Sequence, residues 1–156
     1  MITVEINDRQ THHGIQLQEL QDAVRAVLLG EGVRTATVSV AVVDDPTILD
    51  LNRRYLQHDY PTDVLSFVLE RGDGCLDGEV IVSAETAGRE CHGYGWSVQE
   101  ELMLYTVHGS LHLVGFDDQS PCQAERMRVK EQSYLNQLLA LRDTSPPGGH
   151  SREGGT

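Results

Sequence analysis

A helix that must present two histidines on one face and then stop constrains this chain more than any other stretch. The segment His108-Gly-Ser-Leu-His112-Leu-Val-Gly115-Phe-Asp-Asp118 reads as the last turns of a helix, a glycine stop and a turn. Four residues of helix rotate by roughly 400°, about 40° past a full circle, so His108 and His112 project from one face. Gly115 stands where a left-handed residue most easily ends a helix. A chain folding back beyond it brings the Asp118 carboxylate towards the two imidazoles. The pattern H-x-x-x-H-x-x-G-x-x-D is therefore a three-ligand metal site with one position open. It differs from the extended zinc-protease pattern H-E-x-x-H-x-x-G-x-x-H in two slots, with Gly109 for the glutamate and Asp118 for the third histidine. A mid-helix glycine costs about 1 kcal/mol relative to alanine. Gly109 is thus expected where another backbone or a substrate comes close.

The same helix begins at a capping box, Ser97-Val98-Gln99-Glu100. Leu104, Val107, Leu111 and Val114 give it an apolar stripe, which predicts a central position. Upstream, Ile2, Val4 and Ile6 alternate as in a strand, and Leu17, Leu20, Val24, Val27 and Leu28 repeat at helical spacing up to Gly30. Val38, Val40 and Val42 mark a second strand. Asp45 and Pro46 suit the cap and first position of a second helix, with Ile48, Leu51 and Tyr55 on its buried side. Val64 to Leu69 and Glu79 to Val82 read as two further strands, separated by a loop at Arg71-Gly72-Asp73-Gly74. Ser83 caps a short helix to about Cys91, and Ser120-Pro121 opens the last one. This order predicts an α+β (mixed α/β) domain over 1–142 with a single four-stranded sheet, about five helices and the histidine helix in the centre. The Pro/Gly-rich stretch 143–156 is expected to be a disordered tail. His12 and His13 are expected to be exposed.

Net charge is −12, from 24 acidic and 12 basic residues. Such a balance opposes non-specific nucleic-acid affinity, so any RNA must meet a local basic field or be presented by a partner. Arg53 and Arg54 are one local source. Arg126, Arg128 and Lys130 read as solvated helix surface. Cys75, Cys91 and Cys122 lack metal or redox spacing and are expected to be free thiols, with Cys122 a passive one at a helix start. No apolar run approaches the ~20 residues of a membrane span, and the first residues do not resemble a signal peptide. A cytoplasmic location, with no membrane partner, is the expectation.

Three co-linear stretches then carry a resemblance. Val107 to Asp117 is similar to the signature of the YbeY family, the bacterial metal-dependent endoribonucleases of ribosomal RNA maturation. Leu51-Asn52, Tyr55 and Pro61-Thr62-Asp63-Val64-Leu65-Ser66-Phe67 form a second stretch, and Gly78-Glu79-Val80-Ile81-Val82 a third. The resemblance covers about Met1 to Leu141. It implies a small mixed sheet packed with helices and cleavage of single-stranded RNA near the small-subunit rRNA 3′ end. It also implies a role in ribosome quality control, with the ribosome and its associated proteins as partners. His108, His112 and Asp118 are the expected metal ligands, with Asp117 the alternative third ligand. Two imidazoles and a carboxylate suit Zn²⁺, while nickel, iron and manganese stay open.

Two departures stand out. Family members usually have a histidine where this chain has Asp118. Leu56 occupies the position of a family arginine linked to activity, so Arg54 (or Arg53) is expected to supply the charge from the same helix. Thr62 and Ser66 are candidate donors to a phosphate oxygen, and Asp63 a candidate acceptor for a ligand histidine. His58 is a candidate for proton transfer. Solvated helix surface and turn capping are the structural alternatives for these groups. Two rival functions are a metal-binding ribosome-associated factor with weak or no nuclease activity and a metal-dependent amide or peptide hydrolase. Gly109, which removes the protease general base, argues against the last.

Overall fold

Alternating valines build the sheet. A computed structural model describes residues 1–56 and 62–143. Strand β1 (Ile2–Asp8) pairs in parallel with β2 (Thr35–Val43), and β2 pairs in parallel with β4 (Cys75–Ser83). Strand β3 (Val64–Gly72) runs antiparallel to β4, giving the order β1-β2-β4-β3. The register sets Val40 beside Val80 and Val42 beside Val82, so one face presents a continuous aliphatic surface. Alternate residues form a smaller cluster on the other face from Val43, Leu65 and Ile81, joined by Ile48 of helix α2 (Asp45–Leu56). The protein is an α+β fold with one four-stranded mixed sheet and five α-helices among the described residues, as the periodicity predicts.

Helix α1 (Leu17–Gly30) links β1 to β2, and α3 (Ala84–Glu90) follows β4. A 3-10 turn (Cys91–Tyr94) and left-handed Gly95 then reverse the chain into helix α4 (Val98–Leu113). Helix α4 packs on β3 and β4 and is flanked by α1, α3 and α5 (Pro121–Asp143). Its burial is wider than the expected stripe. Val107 and Leu111 are fully buried, but so are Leu102, Thr106, Ser110 and Leu113, because neighbours close on it from several sides. The hydroxyls of Thr106 and Ser110 survive there by donating to the carbonyls one turn earlier, Leu102 and Thr106. Truncating Leu111 to alanine in such a position costs about 2–5 kcal/mol.

Some local expectations need correction. Asp44, not Asp45, caps α2, accepting the Thr47 amide at 3.0 Å. The Asp45 carboxylate instead receives the hydroxyls of Ser83 and Thr86 and the Arg89 guanidinium, tying α2 to α3. Arg71 and Gly72 lie within β3 rather than a loop, because they pair with Leu76 and Cys75 in a tight hairpin. His12 is exposed as expected, whereas His13 is half-buried against Gly88. All three cysteines are free. Helix α5 extends to Asp143; the remainder of the expected tail lies outside the described residues. No helix among the described residues is long and apolar enough to cross a membrane.

Candidate metal centre

The capping box starts α4 as read from the sequence: Ser97 accepts the Glu100 amide and Glu100 returns to the Ser97 amide. The helix ends in a Schellman arrangement. Gly115 has φ 105°, its amide donates to His112, and the Phe116 amide donates to Leu111. The Arg71 guanidinium donates to the Leu113 carbonyl, placing a cation at the negative end of the helix. Phe116 packs on the core, with the Lys130 ammonium 5.7 Å from its ring centre. These contacts fix the turn that carries Asp117 and Asp118.

That turn delivers the third donor. His108 Nε2 and His112 Nε2 stand 3.1 Å apart, and Asp118 Oδ2 lies 3.6 Å from the first and 4.0 Å from the second. The three groups can hold a metal ion, since a donor atom from each lies within 4.8 Å of the others. A first-row ion with ligands at ~2.0–2.2 Å sets tetrahedral donors roughly 3.3–3.6 Å apart, close to what is found. Asp117 accepts the Asp118 amide at 2.8 Å within the turn.

Glu131 of α5, which sequence reasoning missed, accepts from His108 Nδ1. This leaves the Nε2 lone pair directed at the other two donors, the usual arrangement behind a ligand imidazole. Burial lowers the His108 pKa, but the hydrogen bond and charge of Glu131, helped by Asp63 and Asp118, outweigh it, so the net shift is upward. His112 shifts downward, through burial and then the neighbouring His108. Ion pairs dock α5 so that Glu131 reaches its place: Lys130 to Glu31, and Arg142 to Glu19 and Glu100.

The remaining candidates scatter. Thr62 and Asp63 line a cleft of about 590 Å³ that opens beside His108 and Asp118, as do Arg89, Arg128 and Glu131. Ser66 is not part of that lining; its hydroxyl donates to the Gly109 carbonyl at 2.9 Å and binds α4 to β3. Arg54 pairs with Asp50 at 3.0 Å on the exposed side of α2, away from the cleft lining. Leu56 is partly exposed at the end of that helix. His58 lies outside the described residues. Cys122 is exposed and stands apart from the His-His-Asp group. Gly109 does permit close approach, but to the sheet. A Cβ there would lie 2.7 Å from Val80 Cγ1 and 3.0 Å from both Ser66 Oγ and Val64 Cγ2.

Residues 5–139 match the family model described as Endoribonuclease YbeY. A relative of that name from Rhodopirellula baltica is 46% identical over 115 residues, covering 72% of this chain and 59% of the relative's own length. Another from Salinibacter ruber is 39% identical over 128 residues, covering 77% of this chain and 82% of the relative. A solution structure from Thermotoga maritima shares the fold, with a TM-score of 0.62 at 22% identity, covering 98% of this chain and 99% of that one. By the match along most of its length, the chain belongs to the YbeY family.

Proposed function

We propose that the chain is a metal-dependent endoribonuclease that cuts single-stranded RNA during maturation of ribosomal RNA. The observation that carries this reading is the meeting of His108, His112 and Asp118 at the edge of a cleft, in a chain whose relatives are named endoribonucleases. Zinc is the ion that two imidazoles and one carboxylate suit best. When bound, it supplies Lewis-acid chemistry: charge stabilisation at a phosphoryl oxygen and a lowered pKa for water. His108 and His112 would hold the ion as neutral imidazoles, with Glu131 fixing the tautomer of the first. Arg128, which lines the cleft while pairing with Glu125, offers the phosphate a positive charge there that Arg54 does not bring to it. Thr62 adds a hydroxyl donor at the same cleft. Small-subunit rRNA and the ribosome are the proposed partners, in the cytoplasm.

Gly109 disfavours the peptide-hydrolase alternative, since the residue after the first histidine carries no base. A factor with little nuclease activity is favoured by one observation, the apolar Leu56 at the end of α2. Incubation of zinc-loaded protein with single-stranded RNA, duplex RNA and a peptide library separates the readings. Cleavage of the single strand alone is expected. Cleavage of no RNA by wild type, with strong cleavage after Leu56→Arg, would establish the binding-factor reading instead.

A further inference from the structure

We infer that Glu101 and Tyr105 form a subsite for the Watson–Crick edge of one unpaired nucleobase. The inference rests on the endoribonuclease reading above and names the part of the RNA that the cleft selects. Glu101, Tyr105, His108 and His112 follow one another at spacings of four, three and four, which keeps them within about 60° on one face of α4. Glu101, Tyr105 and His108 line the same cleft. Along the helix axis, Glu101 stands roughly 10 Å from His108, the scale of a nucleotide measured from phosphate to base edge.

Both groups are deep and unsatisfied. Glu101 is 3% exposed and Tyr105 4%. Neither Glu101 Oε1 nor Tyr105 Oη has a hydrogen-bond partner of good geometry among the described residues, although the Tyr105 hydroxyl comes near enough to the Glu101 carboxyl to interact with it weakly across one turn. Native proteins rarely leave such atoms unpaired, and exceptions at a cleft point to a ligand. An apolar pair would fill the space without that cost.

The donor pattern identifies the ligand. Burial, with the charges of Glu101, Asp63 and Glu90, holds the phenol proton of Tyr105 on well above neutral pH, so Oη is a donor. Glu101 Oε1 is an acceptor. Each nucleobase places a donor next to an acceptor on its Watson–Crick edge, and in a duplex that edge is occupied by the opposite strand. A neighbouring donor and acceptor therefore accept any unpaired base and refuse a paired one. Asp63 of the cleft wall and Glu90 at the end of α3 make this end of the cleft negative, which suits an uncharged base and repels phosphate. The phosphate is left to the end with His108 and Arg128.

The test uses zinc-loaded protein and single-stranded oligouridylates in which one uridine at a time is replaced by N3-methyluridine, which blocks the edge. Binding is read by fluorescence anisotropy and cleavage on gels. At one position the methyl group is expected to weaken wild-type binding by about tenfold, the scale of one or two hydrogen bonds. Tyr105→Phe and Glu101→Met should keep one equivalent of zinc, bind unmodified RNA less tightly and lose the discrimination. Glu101→Gln replaces Glu101→Met if the latter does not fold. Equal wild-type binding of every methylated oligomer, or discrimination retained in the variants, overturns the inference. Zinc-loaded wild type that neither binds nor cuts any single strand overturns the endoribonuclease reading and the inference with it.

Discussion

The carboxylate of Glu131 holds Nδ1 of His108, while Nε2 of the same ring faces Nε2 of His112 at 3.1 Å. One histidine is thus gripped from behind by α5 and aimed at its neighbour on α4. Removal of such an outer carboxylate typically weakens metal binding 10–100-fold. Glu131→Ala should therefore lower zinc affinity by roughly that factor in a competitive chelator titration. Unchanged affinity would mean that the contact does not serve the metal.

Gly109→Ala gains about 1 kcal/mol of helix propensity but drives a methyl group against Val80, Val64 and Ser66. Two of these lie in β3 and one in the central strand β4, so relief requires α4 to move off the sheet. Overpacking of this kind costs about 1–3 kcal/mol. A net loss of up to about 2 kcal/mol is expected in urea unfolding, with weaker zinc binding because His108 is adjacent. A stabilised variant would contradict the packing role.

The two aspartates of the turn should behave differently. Asp118→Asn removes a charged donor from the His-His-Asp group and should lower zinc affinity by at least tenfold, on the scale of lost charge-assisted contacts. Asp117 accepts the Asp118 amide and stands outside the His-His-Asp group, so Asp117→Asn should retain one equivalent of zinc. Elemental analysis of both variants checks this, and loss of zinc in Asp117→Asn alone would exchange their roles.

Glu101 links the cleft to stability. Burial, reinforced by Asp63 and Glu90 and opposed by Tyr105, raises its pKa above the ordinary value of 4.5. The native state then binds the proton more tightly than the unfolded chain. Its contribution is whole below that ordinary value and is lost as pH rises through the folded pKa. Glu101→Gln removes the penalty. Its stability relative to wild type should therefore grow in urea titrations as pH rises above the ordinary carboxyl value of 4.5. A difference independent of pH would show that the carboxyl is not desolvated as described.

Much of this arrangement was legible in the sequence because it is local. The capping box, the i, i+4 histidines, left-handed Gly115 and the returning Asp118 lie within 22 residues and obey helix geometry. Glu131 was not legible, since its meeting with His108 depends on how α5 docks through Glu31, Glu19 and Glu100. Ser66 and Gly109 were both singled out, but only the register of β3 against α4 reveals that they hold each other. The Glu101–Tyr105 pair is not legible in the sequence, since only burial separates it from an exposed polar face. Asp45 was misplaced because neighbouring carboxylates look alike in sequence, and the choice of Asp44 as cap depends on the distant Ser83 and Thr86 drawing Asp45 away.

The most direct measurement is a zinc titration of metal-stripped wild-type protein, with cleavage of a labelled single-stranded RNA recorded at each step and His112→Ala run alongside. Cleavage should rise linearly to a plateau at one equivalent and stay absent in the variant. Equal cleavage by the stripped protein, or by His112→Ala, would contradict the assignment of the His108–His112–Asp118 group as the active metal centre.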